Sequence, residues 1–572
     1  MKTTCFVSLL LLTAMASAQS ASERLITLID SVQSHEGYDR EEYPMGLHTA
    51  DYYEQEAAFA KAQLKDLQII SADSLSETER ISKTLLRYQL QETVDYFEQN
   101  GYKMDLLSDS GFHVSFPYYV RPLATYKQVK NYLNQLNAMS ERVDQSVSVY
   151  RTALKEGYGQ PRVIFEGYSS TYDDQLVDDY QDSYFYQPFL KLPATLTEAQ
   201  KDSVLQAAQK AMESSVLPAY RKVKQFFETE YLPKTRTSLG VSETPGGAAY
   251  YQNRIAYYTT LPLTAQEIHK TGLAEVARIK AAMREIIKEV EFEGSFEDFL
   301  KFLRTDEQFY AESPEELLRI ARDMAKRADA QLPRFFKTLP RQPYGVAPVP
   351  DAIAPKYTGG RYVPAPLEST NPGYYWVNTY DLPSRTLYTL PALTVHEAVP
   401  GHHLQIALNK ELGDSIPFFR QNFYLSAFGE GWGLYCEYLA AEMGMYTTPY
   451  ERFGQLTYEM WRACRLVVDT GIHALGWTRQ QVVDFMAENT ALSIHEINTE
   501  TDRYISWPGQ ALAYKIGELK IRELRAEAEE ALGADFDIRE FHEVILEQGT
   551  VTLNILEERV QNWIQKQGET QD

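Results

Sequence analysis

The residues with the most chemical content lie together in His396-Glu397-Ala398-Val399-Pro400-Gly401-His402-His403. Hydrolysis by a metal-activated water needs three protein ligands, one open position, and a carboxylate near enough to take a proton from that water. In the commonest arrangement two histidines stand at i and i+4 of a helix, with a glutamate beside the first. Here His402 follows His396 by six residues and His403 by seven. Six helical residues turn by about 600°, which carries His402 away from His396. Seven restore the face but leave about 10 Å between the two along the axis, too far for two imidazoles to share an ion. Pro400-Gly401 offers a way out. Proline interrupts the hydrogen-bond ladder and glycine accepts unusual dihedrals, so the helix is expected to bulge there and return a histidine to the metal. On this argument either His402 or His403 serves as the ligand. The plainer alternative is a helix followed by a Pro-Gly turn with incidental histidines.

A third ligand is expected from a later helix. In Gly429-Glu430-Gly431-Trp432-Gly433-Leu434-Tyr435-Cys436-Glu437 the two glutamates stand two turns apart on one face of a largely apolar segment. Carboxylates on such a face are costly unless paired or metal-bound. Glu430 is therefore read as the ligand, and Glu437 as a partner that orients a ligand histidine. Were both glutamates to face solvent, neither role would hold.

These residues must be positioned by a large, mostly helical scaffold. The chain has 572 residues, of which 44% are hydrophobic and 24% charged, ordinary for a globular protein large enough for more than one lobe. Helices are expected over Glu198–Val223 with a break near Pro218, and over Ala265–Glu291, Phe296–Leu303, Pro314–Ala330, Phe418–Met443, Tyr450–His473 and Gln510–Leu532, several opened by capping-box signals. One strand is expected, Gly373–Tyr380, bounded by Asn371-Pro372, after a Pro-, Gly- and Tyr-rich ordered loop over 340–372. A boundary near residue 235 would divide an N-terminal helical lobe, 19–235, from a catalytic lobe, 236–572.

Residues 1–18 read as a secretory signal peptide: Lys2 near the start, an apolar run from Cys5 to Ala14, and the small-residue site Ala16-Ser17-Ala18. The run is too short to span a membrane. A soluble exported protein is expected, periplasmic or extracellular. The formal net charge of -23 repels nucleic acid and anionic membranes, so neither is an expected partner. Two cysteines follow the leader, Cys436 and Cys464, and buried free thiols are the default reading, with one bridge as the alternative.

The pattern His-Glu-Ala-x-Pro-Gly-His from His396 to His402, followed by Glu-Gly-Trp-x-Leu-Tyr-x-Glu from Glu430 to Glu437, resembles the domain-of-unknown-function 885 family (DUF885), grouped with gluzincin-like zinc metallopeptidases. Tyr257-Tyr258-Thr259-Thr260, Glu267-Ile268-His269, Val377-Asn378-Thr379, Val468 to His473, Pro508 to Ala511, Tyr514 to Gly517 and Phe541-His542 extend the resemblance over nearly the whole mature chain. It favours His402 over His403. It implies a mainly α metallopeptidase fold with a deep substrate channel and a small β element beside the active-site helix, similar in outline to angiotensin-converting-enzyme-like and neurolysin-like peptidases.

The expected mechanism uses one zinc ion per chain on His396, His402 and Glu430, with Glu397 as general base. The oxyanion needs a fixed donor opposite the metal. Tyr514 is the first candidate, because gluzincins often use a tyrosine from a C-terminal helix, and His473 and His542 are the next. Arg503 is a candidate clamp for a substrate carboxylate, and the strand at Asn378 a candidate to run beside a bound peptide. The substrate expected is a peptide. The same machinery would also serve a non-peptide amide or ester, and an inactive peptide-binding protein is a third reading, disfavoured because His396, Glu397, His402 and Glu430 are all present.

Overall fold

The computed structural model describes residues 19–569 except 352, 355, 356, 367 and 368. The expected signal peptide lies outside the described residues.

The elements that matter for the site follow in chain order. Helices α1 (Glu77–Glu98), α2 (Tyr126–Glu156), α3 (Gly247–Thr259) and α4 (Ala265–Glu289) precede a small sheet of β1 (Tyr344–Pro348), β2 (Gly360–Val363) and β3 (Gly373–Val377). Then come α5 (Leu390–Glu397), α6 (His402–Glu411), α7 (Ser426–Glu442), α8 (Pro449–Leu475), α9 (Ile494–Ser506), α10 (Ala513–Leu532) and α11 (Ile538–Leu546). Helix starts are fixed locally: Thr264 and Glu267 form a reciprocal capping box on α4, and Thr448 and Glu451 do the same on α8. The most extensive helix pairs are α8 with α4 and α7 with α10. The main hydrophobic core draws on residues from Met45 to Val560, so both halves of the chain contribute to it.

Several expectations are corrected. The helix read over Glu198–Val223 does not stop near Pro218. Wide π turns at Met212–Val216 and Phe226–Tyr231 flank Leu217–Gln225, and the helical path runs on through the proline. A turn widened just before proline leaves room for its ring and spares its missing N–H. The segment read as Phe418–Met443 is two helices, Phe418–Gln421 and α7.

The region 340–372 is not only loop: it supplies β1 and β2, strands of five and four residues that its Pro and Gly punctuation hides. β3 lies between them, parallel to β1 and antiparallel to β2. Both edges of β3 are therefore occupied, and it cannot pair with a bound peptide. The strand also ends at Val377, not Tyr380. Cys436 and Cys464 are buried and free. Among the described residues no helix is long and apolar enough to cross a membrane.

Candidate metal centre

The first histidine and its glutamate close α5, and the second histidine opens α6. The expected bulge is a full break. Helix α5 ends at Glu397, the Val399–Pro400 peptide is cis, and a new helix begins at His402. Gly401 is the residue that makes the break compact, since a Cβ there would lie 1.9 Å from the His396 carbonyl oxygen. The turn is pinned from outside by Trp432 of α7, whose Nε1–H donates to the Pro400 carbonyl at 2.8 Å. With the chain folded back, the His396 and His402 rings sit 4.7 Å apart at right angles.

Glu430 completes the group. Its Oε2 is 3.4 Å from His396 Nε2 and 3.5 Å from His402 Nε2. Gly433, one turn further along α7, gives His396 its room: a Cβ there would come within 2.7 Å of the ring. Among the described residues these three are the group of His, Cys, Asp or Glu able to converge on one ion, with donor atoms all within 4.8 Å of one another. Zinc bonds of 2.0–2.1 Å in a tetrahedron give donor separations of about 3.4 Å, and the two Glu430 distances match that edge.

The electrostatics ask for a cation. His396 Nδ1 donates to Glu437 Oε1 at 2.8 Å, which leaves Nε2 facing Glu430. Burial alone would push the His396 pKa down, but its hydrogen bonds to Glu430 and Glu437 outweigh burial and lift it to about 10. Burial likewise opposes ionisation of Glu430, yet the adjacent His402 and His396 hold its carboxyl well below the usual range. A proton or a metal at this point answers the same demand. His402 Nδ1 has no hydrogen-bond partner among the described residues, so the two histidines are not held alike.

Glu397 is buried beside this group, and its Oε2 accepts the Tyr362 backbone N–H of β2 at 2.7 Å. Thus β2, an outer strand, turns its free edge toward the site. Tyr514 of α10 is half-buried; burial and the Glu430 charge push its phenol pKa up, and its ring lies 4.6 Å from the Arg465 guanidinium.

Other candidates stand elsewhere. His403 faces away from Glu430 and pairs through Nδ1 with the Tyr362 hydroxyl at 2.9 Å, its pKa pushed down to about 4 by burial. His473 accepts the Val241 N–H on Nδ1 at 3.1 Å and donates from Nε2 to the Tyr504 carbonyl at 2.9 Å. His542 donates from Nδ1 to the Phe335 carbonyl at 2.8 Å and accepts the Tyr435 hydroxyl at 2.9 Å. Burial pushes both pKa values down to about 3. With every ring nitrogen spent on fixed neutral partners, neither is free to donate to an oxyanion.

Arg503 is also spoken for, by Glu500 at 3.1 and 3.3 Å and by Gln510 Oε1 at 3.0 Å. Asn378 organises a loop: its amide donates to the carbonyls of Ala354, Tyr357 and Thr358, and its oxygen accepts the Tyr380 N–H. Two contributors had no signal in the sequence. They are the backbone N–H of Tyr362, and the hydroxyl of Tyr424, which donates to Glu430 Oε1 at 2.8 Å.

No curated protein matches the chain. A solved structure described as "the putative lipoprotein from Colwellia psychrerythraea" superposes with a TM-score of 0.87 at 28% identity, covering 96% of this chain and 100% of that one. A second, from Shewanella oneidensis, described as "a putative lipoprotein of unknown function", superposes with a TM-score of 0.70 at 18% identity over 95% and 99%, and supports the fold alone. The family model described as "Bacterial protein of unknown function (DUF885)" matches residues 33–560, and the chain belongs to that family.

Proposed function

We propose that the protein is an exported zinc-dependent hydrolase, holding one zinc ion per chain on His396, His402 and Glu430, and that it cleaves peptide bonds. The observation that carries this reading is the convergence of those three side chains, with Glu437 on the far nitrogen of His396 and Glu397 buried beside them. The ligand number fits a catalytic site, which keeps a position open, better than a closed structural one.

When bound, the ion supplies a Lewis acid that makes a water acidic near neutral pH. Glu397 takes the proton and later passes it to the leaving amine. The Tyr362 N–H restrains one oxygen of Glu397, so the other is the one aimed at the proton. Tyr514 donates a hydrogen bond from its hydroxyl to the developing oxyanion. Although the Tyr362 N–H is spent on Glu397, the rest of the edge of β2, an outer strand, can pair with a second chain, which favours an extended peptide over a compact ester. Export agrees with the apolar leader and with the lipoprotein description of the Colwellia neighbour.

The test is elemental analysis for zinc, together with hydrolysis of a mixed peptide library, on the mature protein and on Glu397→Gln. One zinc per chain in both, with peptide cleavage only in the parent, is the expected result. A parent without metal overturns the site. A zinc-loaded parent that leaves all peptides intact but opens other amides or esters moves the substrate class and keeps the machinery.

A further inference from the structure

A cavity of about 690 Å³ lies between α1, α2, α3 and the end of α9, and its lining includes none of the three candidate metal ligands nor Glu397. Its walls are unusual in two ways. Eight of the lining residues are tyrosines, among them Tyr53 and Tyr96, Tyr150 of α2, and Tyr250, Tyr257 and Tyr258 of α3. The lining also carries three arginines, Arg142, Arg236 and Arg254, in a chain whose net charge is -23.

The three arginines are treated differently. Arg254 is neutralised: its two terminal nitrogens hold both oxygens of Glu92 at 2.6 and 2.7 Å. Arg236 spends its donors on the carbonyls of Gly159, Ser238 and Gly240. Arg142 is buried with 9% exposure, and its single hydrogen bond among the described residues goes to the neutral hydroxyl of Ser146, one turn away on α2. A guanidinium out of water without a carboxylate is costly. The cost shows in its acidity: burial holds Arg142 below the usual arginine range, and Arg236 is pushed down to about 10. The remaining lining carboxylate, Asp105, accepts the Tyr96 hydroxyl; burial pushes its carboxyl up to about 6 against the pull of Arg254 and Arg142, and it makes no hydrogen bond to Arg142.

We infer that this cavity is a binding site for a small organic carboxylate with a planar apolar body, whose charge is taken by Arg142 and whose body lies among the tyrosine rings. Guanidinium and carboxylate match in a two-point hydrogen bond, and tyrosines offer flat apolar faces with hydroxyls at their rims. The volume sits in the range of small-molecule sites, about 300–1,000 Å³. A water takes about 30 Å³ of liquid, so a lone inorganic ion of similar size would leave most of the cavity unfilled.

The probes are 3-phenylpropanoate, its neutral counterpart 3-phenylpropan-1-ol, and sodium chloride, each titrated calorimetrically into the full mature chain. The expected result is binding of the acid, at least tenfold weaker binding of the alcohol, and no saturable chloride signal. In Arg142→Gln the acid is expected to bind at least tenfold more weakly, with Arg142→Lys intermediate. Circular dichroism checks that both variants are folded. A tyrosine near-ultraviolet difference signal in the parent reads occupancy of the cavity without any substitution. Repeating the titration after zinc is stripped separates this site from the metal centre, because cavity binding survives stripping and binding at a metal does not. Equal binding of acid and alcohol, undiminished binding in a folded Arg142→Gln, no acid binding, or a chloride signal as tight as that of the acid each overturns the inference.

Discussion

Two pairs of buried histidines in this molecule lead opposite lives. His396 and His402 converge on a carboxylate, and His396 carries a second one on its other nitrogen. His473 and His542 are buried as deeply, but their nitrogens meet only a backbone N–H, carbonyls and a tyrosine hydroxyl. The first environment demands positive charge, and the second forbids it. Burial by itself therefore does not mark a functional histidine. The charge of its partners does.

The largest effect that sharpens this contrast is on the metal. His396→Ala and His402→Ala are expected to reduce zinc from one per chain to none and to abolish hydrolysis, whereas His403→Ala, His473→Ala and His542→Ala retain it. Elemental analysis of the five folded proteins decides this, and zinc lost from His403→Ala but not from His402→Ala would invert the ligand assignment. Next in size, Glu397→Gln is expected to lower turnover on the order of 10²–10⁴-fold with zinc unchanged.

Tyr514→Phe is expected to lower kcat about 10²-fold with KM nearly constant, if its hydroxyl serves the oxyanion. A KM effect alone would make it a binding residue. Glu437→Gln is expected to weaken zinc by about 10–100-fold, measured by competition with a chelator, because it removes the charge that sets the His396 tautomer.

The smallest effects fall on the neutral pair, and they appear as stability. His473→Ala leaves the Val241 N–H and the Tyr504 carbonyl unpaired, and His542→Ala the Phe335 carbonyl, at about 1–3 kcal/mol per group, which denaturant titration would read. The pH dependence follows from the depressed pKa values. In the fold both histidines stay neutral down to about 3, while in the unfolded chain they titrate near 6.5. Between those limits the unfolded chain binds the extra protons, so stability is full above about 6.5 and falls as pH falls. The slope is about 1.4 kcal/mol per pH unit for each histidine. Unfolding free energies that do not drop between pH 7 and pH 5 would remove both residues from the account, and an undiminished drop in His473→Ala or in His542→Ala would remove the residue replaced.

The sequence by itself carried the helical class, the capped start of α4, and the gathering of candidate ligands in the segment from His396 to His402. Those follow from local rules: periodicity, capping residues, and the rarity of a His-Glu pair followed by another histidine six or seven residues on. It also narrowed the second ligand to two neighbours, since spacing along a chain cannot tell adjacent residues apart once the helix is broken. The tertiary structure brings His402 and not His403 together with His396 and Glu430, because the chain breaks at the Pro400 turn pinned by Trp432 and His403 is bonded to Tyr362.

It also withdrew His473, His542, Arg503 and Asn378 from the site. Each has a residue type suited to catalysis or binding, and each is spent on other partners: distant residues for the two histidines, a neighbouring loop for Asn378, and Glu500 and Gln510 close by in sequence for Arg503. The strands β1 and β2 were illegible because they are short and punctuated by proline and glycine, and what stabilises them is pairing with β3. The cavity around Arg142 was equally hidden. A guanidinium with no carboxylate hydrogen-bonded to it is defined by what surrounds the side chain, and those surroundings exist only once the chain has folded.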